Sequence, residues 1–433
     1  MRRQRVLLRV HSWLILFALA LHAQLTPDQK QLNIESFEKI WTTIRDKHWE
    51  KNPGGLDWQA IHDEYRPKID QADSMEGARN VMREMLDRLN QTHFGILPAA
   101  TYSEVNGDDD SGDGSTGIEL RVLDHQAVVT RIDPGSPAEK AGVKTGWVVL
   151  SARGKDLAPV IEKLQSTSII HELQLERAVD SRVSGPADSK MPLVFLDGAN
   201  KRVALNLDLA LPRGEVTHFG NLPPEFVWLE TKKIGNTGYI RFNMFLDVVR
   251  VMPKFSSAVS DCLKCDGLII DLRGNPGGIG GMAMGMAGWL VDKPNQRLGT
   301  MVMRDNTLNF FINRRSEVFG GPVAILMDGS SASTSEIFAG GLKDLGRARI
   351  FGTRSAAAAL PSIIEKLPNG DGFQYAMANY ISAGGKALEG NGVVPDEEVH
   401  LTRAALLAGH DPVIDAALQW ISKQRTQTQR TKQ

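Results

Sequence analysis

An α/β fold, preceded by a β-rich region and a helical N-terminal region, is the architecture this sequence predicts. Three observations point to it. Two apolar runs, Gly267–Asp271 and Val323–Met327, each enter a turn of small residues and then a helical stretch, the pattern of buried parallel strands followed by helices. From Gly117 the texture turns to short apolar strands broken by Gly and Pro. Before residue 92, apolar residues recur at helical spacing.

The chain has 433 residues, 42% hydrophobic and 23% charged, enough for roughly two to four domains with real cores. Its formal net charge is −1 and no broad basic stripe runs through it, which argues against nucleic acid as a main partner. Residues 1–23 read as an export signal: Arg2, Arg3, Arg5 and Arg9 precede the apolar stretch Trp13–Leu21, which is too short to span a bilayer. Cleavage there takes the net charge from −1 to −5 and leaves a periplasmic or extracellular protein; an uncleaved anchor is the alternative. Cys262 and Cys265, spaced CLKC, are too few to close a zinc site and are expected to be structural thiols.

Residues 26–100 predict a helical domain. Phe37, Ile40, Trp41 and Ile44 make one apolar face, Trp58, Ile61 and Tyr65 a second, and Val81, Met82, Met85, Leu86 and Leu89 a third. Asn106–Thr116 is a linker by composition. Its Asp108, Asp110 and Asp113 lack the closing glutamate of a calcium loop, and neither metal nor cofactor is expected.

Residues 104–212 carry Gly117-Ile118-Glu119-Leu120, the strand Ala127–Ile132, the helix start PGSPAEKAG, the strand Gly146–Leu150 and a Gly154-Lys155 turn. This order resembles a PDZ domain. The resemblance implies that backbone N–H groups of Gly117, Ile118, Glu119 and Leu120 take a peptide's C-terminal carboxylate while the peptide adds as a strand. A β-domain used only as a spacer is the plainer reading.

Residues 220–425 predict the α/β domain. Gly238–Phe242 opens it, with helices at Val248–Cys262, Met282–Leu290 and Glu336–Lys343 and a further strand at Arg347–Phe351. The turn Leu272–Gly278 lacks the spacing of a phosphate loop. Its other use is an oxyanion hole built on the N–H of Gly277 or Gly278. The serine turn Asp328–Gly340 either caps a helix, since Ser333-x-x-Glu336 is a capping box, or presents a nucleophile at a helix N-terminus.

The segments YIRF, DLRGNPGG, DGSSASTSE and GNGVVPD, in this order behind the PDZ-like region, resemble the tail-specific, or C-terminal processing, serine peptidases across almost the whole mature chain. The resemblance implies a crotonase/ClpP-like α/β protease domain and Ser333 as nucleophile. Many members place a catalytic lysine where this chain has Ala358, inside Ser355–Ala359. Lys366, eight residues on, is the nearest substitute beyond it. A second, tricorn-like branch uses Ser, His and Glu; its pattern maps onto His93 and Glu389, both present. In that reading His93 moves the proton, Glu389 orients the imidazole, and the N–H groups of Gly277 or Gly278 and of Thr334 hold the oxyanion. An unburied His93 would titrate at about 6–7. The implied function is an exported serine endopeptidase, cofactor-free, acting on proteins or peptides with free C-termini; a homo-oligomer is compatible with it. The competing readings are a catalytically silent peptide-binding homologue, motivated by Ala358, and a crotonase-type acyl enzyme, which export disfavours because coenzyme A is not expected outside the cytoplasm.

Overall fold

The computed structural model describes residues 25–99, 114–165, 172–218 and 224–431, without side chains beyond residue 427. The expected export signal and residues 106–113 of the linker lie outside the described residues. Among the described residues, no helix is long and apolar enough to cross a membrane.

Helices α1 (Pro27–Lys47), α2 (Trp58–Gln71) and α3 (Met75–Asp87) begin where their caps dictate. Thr26 and Gln29 close a capping box, Asp57 accepts from the N–H groups of Gln59 and Ala60, and Ser74 from that of Gly77. The three apolar faces meet in one core, and the indoles of Trp41 and Trp58 each donate to the other's carbonyl, at 2.9 and 3.0 Å. The helices do not close this core alone. Strand β1 (Gly95–Leu97) pairs with Gly372–Ala376, which forms a hairpin with Ser362–Lys366, and Leu367, Phe373 and Tyr375 fill the remaining space. The helical region is therefore packed into the C-terminal half of the chain.

The middle region is an antiparallel sheet in the order β2 (Ile118–Leu123), β3 (Gln126–Ile132), β4 (Val148–Ala152), β5 (Lys190–Leu196), β6 (Arg202–Asp208). Short helices α4 (Pro137–Lys140) and α5 (Ala158–Gln165) accompany it, and α6 (Glu172–Asp180) packs along β2. Leu175 and Val179 of α6 join Leu120, Val129, Val149 and Phe195 in its core.

The α/β region is a six-stranded sheet in the order β7 (Leu229–Ile234), β8 (Thr237–Phe242), β9 (Gly267–Asp271), β10 (Val323–Met327), β11 (Arg349–Gly352), β12 (Glu397–Glu398), with only the β7–β8 pair antiparallel. Helices α7 (Val248–Ser260), α8 (Gly280–Ala287) and α9 (Thr334–Asp344) cover one face, through Phe242, Phe245, Phe255 and Phe338. Two more helices follow, α10 (Arg403–Leu407) and α11 (Pro412–Thr431). The latter covers the other face, setting Val413, Ala417 and Ile421 on Ile269, Ala324, Leu326 and Phe351. Covered on both faces, the parallel strands are near-continuous apolar runs. β9 and β10 run in register from Leu268 opposite Val323 to Asp271 opposite Leu326. The glycine turn and the serine turn therefore leave the sheet side by side.

Some local expectations shift. Helix α9 starts at Thr334 rather than Glu336, α8 lies two residues early, and α7 stops before Cys262. Cys262 and Cys265 are joined as a disulfide, not held as thiols; the turn closed by Cys265 N–H on the Cys262 carbonyl at 2.8 Å brings them together. Asp271 and Arg273 form a buried ion pair, at 2.6 Å.

Asp371 fastens the hairpin to the helices. Fully buried, it accepts both arms of the Arg79 guanidinium at 3.0 Å, the Ala99 N–H at 2.7 Å and the Asn369 amide at 3.1 Å. Asp371→Ala leaves the half-buried Arg79 guanidinium with Glu76 alone, at 3.4 Å, and frees the Ala99 N–H, and should lower unfolding stability by about 1–3 kcal/mol, read by denaturant titration. A loss under about 1 kcal/mol would show that the two parts do not depend on this contact.

Candidate active site

The serine turn carries five hydroxyls in six residues, and their partners separate them. Ser330 donates to the Glu176 carboxylate. Ser331 donates to the Leu272 carbonyl at 2.8 Å, Thr334 to the Gly278 carbonyl at 2.7 Å, and Ser335 to the Asn275 carbonyl at 2.9 Å. Ser333 donates to no acceptor among the described residues, and it is partly exposed while its neighbours are buried. Its backbone is left-handed, φ 53°, the conformation of a sharp strand-to-helix turn that sets a side chain apart from the chain on either side.

Asn275 joins the glycine turn to the serine turn. Wholly buried, it donates to the Phe242 carbonyl at 2.9 Å, and its Oδ1 accepts the Gly277 N–H and the Ser335 hydroxyl, both at 3.0 Å. Its carbonyl also takes the Ala332 N–H. The Gly277 N–H is thus occupied. The N–H groups of Gly278 and Thr334 have no acceptor among the described residues. Gly277 has φ 100°, and a Cβ there would stand 2.7 Å from both the Ser333 Cβ and the Thr334 nitrogen, so only glycine fits against the serine.

The run Ser355–Ala359 lies beside Ser333. The Ser333 N–H points at the Ala358 carbonyl and at Glu336 Oε2, each 2.9 Å away. Glu336, fully buried, also accepts the Ser355 hydroxyl and the N–H groups of Ala357 and Ala358. Burial raises its carboxyl to about 7 against the pull of these four donors. Where a side-chain base is expected at position 358, a backbone carbonyl meets the serine turn instead. Lys366 does not replace it: it is exposed at the end of the hairpin strand farther from Ala358, roughly 13 Å along from Ser362, and its carbonyl accepts Lys39.

Glu389 carries the contacts onward. Its Oε2 accepts the Ala359 N–H at 3.0 Å and its Oε1 the Thr92 N–H at 2.9 Å. The next residue is His93, whose Nδ1 lies 2.7 Å from the Thr92 hydroxyl. Ser333, Ala358–Ala359, Glu389 and Thr92–His93 therefore form one hydrogen-bonded succession, although no hydrogen bond joins His93 to Ser333 or Glu389 to the imidazole among the described residues. The imidazole partner is Thr92, which nothing in the sequence singled out. Burial, and then the charge of Arg177 on α6, push His93 down to about 4, well below the range of an unburied ring. Left-handed backbone at His93, Ser333 and Ala357 concentrates strain here.

The expected peptide site is partly committed elsewhere. Gly117 lies against Ser136, where a Cβ would meet the Ser136 Cβ at 2.1 Å. Ile118 is half-buried at the start of β2. The Glu119 carboxylate is taken by Arg241 at 2.8 Å and Arg121 at 3.0 Å. Leu120 is buried, its carbonyl accepting Arg121 at 2.8 Å. Arg121 also reaches Asp328 at 2.9 Å, and Asp328 accepts the Gly274 N–H, so the edge of the middle sheet touches both turns of the site. No group of acidic, His or Cys side chains able to hold a metal occurs among the described residues.

Two parts of the chain match known family models. Residues 236–399 match the family model described as peptidase family S41, and residues 33–87 that of the tricorn protease C1 domain. The carboxy-terminal processing protease CtpB of Bacillus subtilis (strain 168) is 26% identical over 344 residues, 78% of this chain and 65% of that protein. CtpA of the same organism is 23% identical over 361 residues, 83% of this chain and 70% of that protein. The chain spans about two thirds of the length of the curated relatives it matches. Among solved structures, the photosystem II D1 C-terminal processing protease superposes with a TM-score of 0.55 at 22% identity, over 87% of this chain and 94% of that one. Mature CPAF superposes with a TM-score of 0.59 at 13% identity, over 92% and 98%. At those identities the likeness is one of fold. Residues 236–399 are thus similar to peptidase family S41, and most of the chain is similar in sequence to carboxy-terminal processing proteases.

Proposed function

We propose that this protein is an exported serine endopeptidase working through Ser333, His93 and Glu389. The observation that carries the reading is the unbroken succession of hydrogen bonds from the Ser333 turn through Glu389 to Thr92–His93, with the Ala358 carbonyl where a lysine is absent. In the tautomer this reading takes, His93 Nδ1–H donates to the Thr92 hydroxyl, and Nε2 of the neutral ring is then the free acceptor. Ser333 Oγ attacks the scissile carbonyl carbon and its proton passes to His93 Nε2. The N–H groups of Gly278 and Thr334 take the developing oxyanion. Collapse expels the amine, which receives the proton from His93. Water, deprotonated by the same ring, then releases the acyl group from Ser333. Glu389 acts by fixing the backbone at Thr92 and Ala359, so it is a positioning residue.

The relatives' names, carboxy-terminal processing proteases, support protein substrates. The sheet edge at Ile118–Leu120 supports recognition of a substrate C-terminus by strand addition, as in a PDZ domain. The basic and apolar character of residues 1–23 supports export. The alternative, a silent peptide-binding homologue, is favoured only by Ala358.

A fluorophosphonate probe should label the wild-type protein and not Ser333→Ala; absence of labelling on the folded wild type favours the silent homologue. His93→Ala should lose about 10⁴-fold in turnover on one purified protein substrate, Glu389→Gln clearly less, and Lys366→Ala less than about twofold. Inactive Lys366→Ala beside active His93→Ala would replace this mechanism with a lysine one.

The pH dependence has a definite sign. A base whose folded pKa is lowered stays neutral, hence competent, until the pH falls to that value. kcat/KM should therefore be flat from about pH 5 to 8 and fall only as the pH approaches 4, and Arg177→Gln should move that acid limb upward. An acid limb at pH 6–7 in the wild type, unmoved by Arg177→Gln, would mean that His93 is not held as described.

A further inference from the structure

Helix α6 bears three acids at helical spacing, Glu172, Glu176 and Asp180, which fall on one side of the helix. They reach two different targets. Glu172 and Glu176 meet the serine turn. A Cβ on Gly329 would stand 2.1 Å from the Glu172 carboxylate, and Ser330 donates to Glu176. Asp180, at the other end, meets the edge of β2.

That edge is where strand addition would occur. β2 ends its sheet, with β3 as its neighbour. Opposite Leu120 stands Val129, whose N–H and carbonyl are both spent on Trp147 and Gly146 toward β4. Leu120 and Val129 are thus a non-hydrogen-bonded pair, and the N–H and carbonyl of Leu120 face outward at the free edge. The outward N–H faces the Asp180 carboxylate and favours its charge, while Arg121 covers the carbonyl. One Asp180 oxygen is buried without a partner. Asp180 lines a cavity of about 240 Å³ in which four guanidinium groups, of Arg121, Arg131, Arg241 and Arg273, stand beside Trp228 and the carboxylates of Glu119 and Asp133, so a carboxylate at position 180 sits among positive charges that are already paired. The residue before it, Val179, fills the core beside Leu120. Val179-Asp180 therefore presents an apolar side chain and a carboxylate together, as the last residue of a peptide does.

We propose that α6 is an internal ligand of this edge, occupying the subsite for a substrate's C-terminal carboxylate, so that a peptide C-terminus binds by displacing it. The proposal rests on the C-terminal recognition reading above. Displacement exchanges one apolar group and one carboxylate for another, and it also withdraws Glu172 and Glu176 from the turn that carries Ser333. The arriving chain is thereby coupled to the nucleophile's support.

The test uses the full chain and a fluorescent decapeptide ending in valine, as the free acid and as the C-terminal amide, by anisotropy. Asp180→Ala should bind the acid at least tenfold more tightly than wild type does and gain nothing for the amide. Asp180→Asn, which keeps the volume, should gain at least threefold and serves if the alanine variant unfolds, as thermal melting will show. Equal affinity of wild type and variants for the acid, with the amide weaker, overturns the internal ligand and leaves C-terminal recognition standing. No preference for the acid in any of the three overturns both. Fluorophosphonate labelling of Ser333 in the same samples reports separately on the peptidase reading.

Discussion

Much of the candidate site depends on one buried amide. Asn275 sits where β9 has just left the sheet, and its side chain and carbonyl take up groups from both the glycine turn and the serine turn. Parallel pairing of β9 and β10 sets the two turns side by side, but pairing alone fixes neither turn's conformation. The amide does so by satisfying the Gly277 N–H and the Ser335 hydroxyl together, which leaves the Gly278 and Thr334 N–H groups pointing free. In a dry interior each unmade hydrogen bond costs on the order of 1–3 kcal/mol, so the arrangement has few alternatives. The partly exposed serine and the two free donors are what remains once the buried groups have been paired.

The parts that could be read from the sequence are those whose cause is local. The apolar runs of β9 and β10, the small residues that follow them and the helical spacing of Phe37 to Ile44 each lie within one element, so periodicity was enough. Ser333, His93 and Glu389 stood out through the family resemblance, whereas Thr92 and Asn275 have chemistry that depends on neighbours far along the chain. The pairing of Gly95 with Gln374 joins residues 279 positions apart, and no pattern in either segment announces it. The CLKC spacing is compatible with thiols and with a disulfide alike. The depressed His93 is likewise a tertiary effect: burial comes first, and then the charge of Arg177 on a helix of another region.

Charge ties the middle sheet to the α/β region. Arg121 on β2 pairs with Glu119 beside it, Glu176 on α6 and Asp328 at the head of the serine turn, and Arg241 on β8 returns to Glu119. Such a network is weak evidence for stability, since desolvating several ions offsets most of their attraction. Its geometry is demanding, however. Shifting the β2 edge by a residue would strand Arg121 or Asp328 in a buried setting. The network therefore fixes the register of the middle sheet on the α/β region, and any movement of α6 must rearrange it.

The absence of a lysine at 358 and the packing of the N-terminal helices belong to the same argument. A lysine base on the segment after β11 would need nothing from residues 25–99. A histidine base has to be delivered from outside the α/β region, and delivered rigidly. β1 begins two residues after His93 and is held in register by the hairpin that starts three residues after Ala359; the helices close that hairpin's core, and Asp371 locks the two together. Glu389 then fixes the remaining gap by gripping Thr92 and Ala359 at once. On the proposed mechanism the helical region is thus the support of the general base rather than an appended module. Loosening it anywhere along this path, even far from Ser333, acts on catalysis through the position of His93.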